Sequence, residues 1–203
     1  MNLKNQNQPS EYEPAGWLWT WQVGDPLPAL FPIAGFEVSA STSTAEIARA
    51  VAESENSVQA LLAEGHRAYL TRSQGQPVGF GWCATQTAQF GPKPHRFSLA
   101  DGQRYLWGFA TYPAFRGRGY YPRLLQAILQ AETDLSNPSN VLSFWILHTV
   151  DNLASARGIA KAGFQRVGTI VFLADGKFGL TIHHDNIDRG QSGAALLGIR
   201  LIR

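Results

Sequence analysis

The stretch PAFRGRGYYPRLLQAIL, residues 113–129, sets an Arg-Gly-Arg-Gly turn directly before an apolar, helix-like run. A helix N-terminus leaves about four backbone N–H groups unpaired and carries a partial positive charge. Gly117 and Gly119 let that backbone come close to a ligand, and Arg116 and Arg118 add fixed charge. Together these residue types make an anion site, and a phosphate suits it best. The plainer alternative is a strand-to-helix turn with solvated arginines. An RNA-binding Arg-Gly segment fits less well, because such segments are repetitive and this motif stands once between ordered elements.

Other chemistry-bearing residues are weaker candidates. His183 and His184 are adjacent, and on a strand they point to opposite faces, so one metal ion does not simply join them. No metal is expected. Cys83 is the single cysteine; it stands in a strand-like run with no motif placing a base beside it, and it reads as core. Trp17, Trp19 and Trp21 alternate and form one aromatic stripe, for core packing, for a dimer contact or for the wall of a substrate pocket.

The elements that must position the turn follow from periodicity and punctuation. Residues 1–14 are polar and read as a disordered arm, and 16–36 as a short strand followed by an irregular, proline-rich segment. A strand is expected at 36–41. Helices are expected at 43–54, where Ser43 and Glu46 have capping-box spacing, and at 57–65, ended by Gly65. A hairpin at 66–90 turns around Ser73–Gln76, a loop spans 91–102, and a strand at 103–113 stops at Pro113. The helix 122–132 carries Leu124, Leu125, Ile128 and Leu129 as its apolar stripe. After a turn at 137–140 come a buried strand (141–150), a short helix (152–163) with Gly163 at its C-terminus, and a hairpin (164–184) turning at Asp175–Gly176. The tail from 186 reads as a last strand or an amphipathic edge.

Composition sets the class. A chain of 203 residues with 44% hydrophobic and 16% charged residues suits one soluble domain. A formal net charge of +2 is too small to argue for nucleic acid or an anionic membrane as a partner. No apolar run approaches the roughly 20 residues of a membrane span, and the polar N-terminus has no signal-peptide core. With one cysteine, a reducing, cytoplasmic setting is expected.

The order of elements around the turn resembles the GCN5-related N-acetyltransferase (GNAT) family. That family's signature, Arg/Gln-x-x-Gly-x-Gly/Ala, opens the helix after its fourth strand. Arg116 and Gly119 stand at the Arg and the first Gly, with Pro113 at the upstream proline. The family's Asn after the fifth strand is Asn152, and its Gly-Phe eleven residues on is Gly163–Phe164. The resemblance covers about residues 36–180. It implies an α/β fold, a GNAT-like mixed and mostly antiparallel sheet with helices on both faces. The domain would run 36–185, between a partly disordered N-terminal extension (1–35) and a C-terminal tail (186–203).

The resemblance also implies a reaction. Acetyl-CoA, or another acyl-CoA, would be the co-substrate, with its pyrophosphate on the amides of Arg116, Gly117, Arg118, Gly119, Tyr120 and Tyr121. Phe109, Ala110 and Thr111 would line the pantetheine arm, and Asn152 would contact it, with Ser155 one helical turn on. The fourth and fifth strands would splay to admit the thioester, and a strand N–H would stabilise the oxyanion. A free amine, on a small molecule or a peptide, would attack directly.

Three positions depart from the family pattern. Tyr121 stands where the last Gly or Ala belongs, Ile159 where many members carry a Tyr that protonates the leaving thiolate, and Leu147 where some carry a Glu base. His148, near the end of the fifth strand, is then the candidate base, since an unperturbed pKa near ~6.5 suits that role. The alternative for His148 is a buried histidine satisfied by a backbone carbonyl. Tyr120, Tyr121 and Tyr112 are the candidate acids. The same departures allow a catalytically degenerate module that binds CoA or a protein partner. The apolar tail and the Trp-rich arm suit a homodimer.

Overall fold

The computed structural model describes residues 12–134, 140–182 and 186–202. Residues 1–11 of the expected arm, 137–139 of the expected turn, and His183 and His184 lie outside them. The chain begins with β1 (Glu13–Gln22), β2 (Phe36–Ser41), α1 (Thr44–Val51) and α2 (Glu55–Ala63). Two hairpins follow, β3 (His66–Ser73) with β4 (Gln76–Ala84) and β5 (Thr87–Phe90) with β6 (His95–Ser98). Then come β7 (Gln103–Thr111), a single 3-10 turn (Pro113–Phe115) and α3 (Tyr120–Thr133). The chain continues through β8 (Ser143–Thr149), α4 (Leu153–Lys161), β9 (Gln165–Phe172), β10 (Phe178–Ile182), α5 (Ile187–Leu197) and β11 (Arg200–Ile202).

Nine strands form one sheet in the order β11-β10-β9-β1-β8-β7-β4-β3-β2, antiparallel except for the β7–β8 and β10–β11 pairs. One face is covered by α3 and α4, which bury Leu124, Leu125, Ile128 and Ile159 against Trp19, Trp21, Phe144 and Ile146. The other is covered by α1 and α2, over Ala68 and Trp82, and by α5, over Leu18, Trp145 and Ile170. Helices therefore lie on both faces of a mostly antiparallel sheet, as expected.

The placement of the ends differs from the expected division of the chain. β1 pairs with β8 on one side and β9 on the other, so part of the segment 1–35 forms the middle of the sheet. Leu18 and Thr20 are fully buried on one face of β1 while Trp19 and Trp21 are buried on the other. A strand covered on both faces loses the polar alternation that marks a half-buried one. The tail forms α5 and then β11, which runs parallel to β10. The segment expected as a loop, 91–102, contains β6.

Candidate active site

β7 and β8 are in parallel register from Gln103 opposite Ser143 to Leu106 opposite Ile146. Beyond Leu106 the ladder stops, although β7 continues to Thr111 beside β4. The strands part there for a local reason. The β4–β7 register slips between Phe80 and Trp82, and Gly108 in β7 has φ +63. Such a bulge bends the strand and re-aims a side chain. The side chain is Phe109, whose ring lies over Gly81: a Cβ on Gly81 would sit 2.9 Å from Phe109 Cζ and nearer still to other ring atoms.

Two cavities reach this part of β7 and share Phe109 and Ala110 in their linings. The first has a volume of about 560 Å³ and runs along Thr111, Arg116, Gly117 and Gly119 to Asn152 and Ser155. Gly117 and Gly119 both have φ +77, and open space lies in front of Gly117. Gly119 caps α3 without a side-chain hydrogen bond. By contrast, Ser43, Ser54 and Asn152 cap α1, α2 and α4 with their side chains. The start of α3 thus has no side-chain cap and faces a cavity, an arrangement that can hold an anion such as a phosphate.

The turn is braced from behind. Arg123 Nη1 donates to the Gly119 carbonyl at 2.7 Å, and Arg123 Nε donates to the Phe31 carbonyl at 2.9 Å. Arg116 Nε donates to the Thr111 carbonyl at 3.1 Å, and Arg118 lies over the Phe115 ring. Both arginines therefore shape the turn, and Arg118 does not line the cavity. Asn152 Oδ1 accepts from the Ser155 N–H at 3.0 Å, which caps α4 at the cavity wall.

The two neighbouring tyrosines separate. Tyr120 turns to the far edge: its hydroxyl donates to Ser73 Oγ at 3.0 Å and its ring stacks on Phe36. Its phenol is spent there, which argues against the acid role expected as one option. Tyr112 donates to the Ala50 carbonyl at 2.8 Å and is spent likewise. Tyr121 lines the first cavity, with its hydroxyl 3.2 Å from Ser155 Oγ and its ring 5.4 Å from that of Phe109. Burial pushes its pKa up. The bulk that replaces Gly or Ala at position 121 is accommodated on α4, where Gly158 leaves room for the ring. Gly158 was missed from the sequence, yet a glycine inside a helix costs about 1 kcal/mol and so signals a close approach.

His148 does not stand as a free base. Its Nε2 accepts the Trp19 indole N–H at 3.0 Å, and its Nδ1 lies 2.7 Å from the Thr149 carbonyl, which assigns the ring proton to Nδ1. It is 6% exposed, packs edge-on against Trp17, and lines neither cavity. Burial lowers its pKa. The expected base thus corresponds to the buried, backbone-satisfied alternative. Trp19 and Trp21 are core, as is Cys83, whose thiol pKa burial raises well above its ordinary value.

The second cavity, about 780 Å³, opens on the α1–α2 face and was not foreseen. Trp107 stacks on Trp82 with ring centroids 5.6 Å apart and 16° between planes. The Trp107 indole N–H donates to His66 Nδ1 at 3.0 Å, so the neutral His66 carries its proton on Nε2. Glu53, Glu64 and Arg96 also line this cavity.

The family model for the Acetyltransferase (GNAT) family matches residues 35–164, more than half of the chain. The chain belongs to the GNAT acetyltransferase family. Solved structures agree in fold. A GCN5-related N-acetyltransferase from Sphaerobacter thermophilus is 14% identical, with a TM-score of 0.53, over 79% of this chain and 51% of that one. A GCN5-related N-acetyltransferase from Kribbella flavida is 19% identical, with a TM-score of 0.51, over 79% and 57%. The aminoglycoside acetyltransferase AAC(6')-Ib, in complex with coenzyme A and kanamycin, is 17% identical, with a TM-score of 0.53, over 77% of this chain and 99% of that one. The chain spans about half to two thirds of the length of the first structures it matches. No curated protein matches. Among the described residues, no helix is long and apolar enough to cross a membrane, and no group of three or more His, Cys, Asp or Glu is gathered for a metal ion.

Proposed function

We propose that the protein transfers an acetyl group from acetyl-CoA to a primary amine by direct attack. The observation that carries this is that both cavities reach Phe109 and Ala110, on the part of β7 that has left β8. Acetyl-CoA supplies the activated acyl group. The amides at the start of α3, with Gly117 and Gly119, hold its pyrophosphate, and Phe109 to Thr111 line its arm. A backbone N–H on the β8-facing side of β7 beyond Leu106, freed from the ladder, donates to the carbonyl oxygen as charge develops on it.

Tyr121 takes the acid role that Ile159 cannot fill. Its hydroxyl gives a proton to the departing thiolate and regains one from solvent, while Phe109 and Gly158 hold the ring. Its raised pKa keeps it protonated at working pH. The amine enters from the Trp107 side and attacks in its free form. Its nitrogen forms the new bond to the acyl carbon, the C–S bond breaks, and the extra proton on nitrogen leaves to water. With His148 occupied by Trp19, the fraction of free amine is set by the amine itself.

The test is turnover with a panel of amines, followed as free thiol released and as an acetyl added to the amine by mass. Thiol release that depends on amine, with a rate that rises with pH and has no inflection near the histidine pKa of ~6.5, is expected. Binding of acetyl-CoA without thiol release from any amine would instead favour the degenerate, non-catalytic module.

A further inference from the structure

The second cavity differs chemically from the cofactor groove. Its walls are the aromatic faces of Trp107 and Phe80, with Val58 and Leu61 from α2 and Phe90 from the β5–β6 hairpin. The indole N–H of Trp107 is already given to His66, so that ring offers the cavity an apolar face. Ser57, Thr87 and Gln89 also line it, so the apolar surface stands beside a few hydroxyl and amide groups.

The charges in the same cavity have one sign left over. Arg96 Nε donates to Gln89 Oε1 at 3.2 Å within its own hairpin. Glu53 and Glu64 form no ion pair among the described residues. Two carboxylates against one guanidinium leave the lining formally negative. A cation that also has a flat apolar body satisfies both features, with the body on the Trp107 indole and the ammonium near the carboxylates.

Resting on the acetyl-transfer reading, we infer that the acceptor is a primary amine carried on a flat apolar body, an arylalkylamine by chemical class. Polyamines and polyhydroxylated polycations, which have no flat apolar body to set against the Trp107 ring, are expected to bind less tightly. Trp107 and Phe80 select the body, and Glu53 and Glu64 select the charge.

The experiment is calorimetry of small probes with the full chain, alone and saturated with CoA, so that no turnover is needed. The probes are phenethylamine, 2-phenylethanol (the body without the charge), ethanolamine (the charge without the body), spermidine and kanamycin. Phenethylamine is expected to bind roughly ten-fold or more tighter than ethanolamine. The double variant Glu53→Gln/Glu64→Gln is expected to weaken phenethylamine about five-fold and to leave 2-phenylethanol unchanged. Trp107→Ala is expected to weaken both. Tighter binding of spermidine or kanamycin, equal binding of phenethylamine and ethanolamine, or no effect of the Gln variant, would overturn the inference. Failure of the acetyl-transfer reading would show separately, as no thiol released from acetyl-CoA with any amine, whether or not CoA binds, with the ranking of the probes still measured on the protein alone.

Discussion

Gly158 on α4 exists to receive the ring of Tyr121 on α3. A Cβ on Gly158 would lie 2.8 Å from Tyr121 Cε1 and closer still to Cδ1, and the phenol reaches past it to Ser155 Oγ at 3.2 Å. The helix pair therefore exchanges bulk: a large residue at the first turn of α3 is matched by none on α4.

Gly158→Ala is expected to destabilise the protein by roughly 1–2 kcal/mol, because overpacking outweighs the alanine's better helix propensity of about 1 kcal/mol. It should also raise the KM for acetyl-CoA, since the displaced ring lines the cavity proposed for the cofactor. Urea unfolding and steady-state kinetics measure both. Adding Tyr121→Ala to Gly158→Ala should recover much of the stability lost to the clash, and a purely additive double mutant would refute the contact.

Tyr121→Phe keeps the ring and removes the proton. The expected result is a fall in kcat of roughly 10²-fold, the low end for a general acid because a thiolate leaves readily, with acetyl-CoA affinity unchanged. An unchanged kcat would place the proton source elsewhere.

How much of this was legible in sequence follows from what each feature demands locally. The turn at 116–119 could be read because its needs are local: two glycines, free amides and a helix behind them. Asn152 was singled out only through the family resemblance, as a contact of the cofactor arm; its role as the cap of α4, accepting from the Ser155 N–H, was not read. α5 was missed because Gly190 and Gly193 depress helix propensity. The structure explains them by close packing: a Cβ on Gly193 would lie 2.7 Å from Leu18 Cδ2, and one on Gly190 would crowd Ile182. His148 was misassigned because the donor to its Nε2, Trp19, is 129 residues away. Only the register of β1 on β8 brings the two together, and no local pattern reports it. The aromatic cavity was illegible on similar grounds, since Trp82 and Trp107 meet only through the β4–β7 pairing.

Acid should destabilise the fold early. Burial lowers the pKa of both His66 and His148, so near pH 6 the unfolded chain binds more protons than the native one. Stability is then fully present above the unfolded histidine pKa of ~6.5 and is lost as pH falls through it toward the folded values. Urea midpoints at about pH 7.5 and pH 5.5 are expected to differ, with the lower midpoint at the lower pH. His148→Gln should shrink that difference, and identical midpoints in the wild type would contradict burial of neutral histidines. Glu132, held below its ordinary pKa of 4.5 by Tyr69, Arg104 and Arg67, adds its own loss only at lower pH.

The same Glu132 is the buried anchor between α3 and the sheet. It accepts from Tyr69 Oη at 2.7 Å, Arg104 Nε at 2.9 Å and Arg67 Nη1 at 2.8 Å, and its side chain is 0% exposed. Glu132→Ala leaves the Arg104 guanidinium buried without its countercharge. A loss of about 3–5 kcal/mol is expected in denaturant unfolding. A loss under ~1 kcal/mol would mean that solvent reaches Arg104 and screens it.

The cofactor site at the start of α3 is tested most directly by calorimetry of acetyl-CoA with the wild type and with Gly119→Glu, with thermal melting to verify that the variant is folded. The wild type is expected to bind in the micromolar range, and the variant, folded but with a carboxylate at the mouth of the helix, to show no binding. A wild type that does not bind, or a Gly119→Glu protein that binds as tightly, would contradict a pyrophosphate site on the amides of α3.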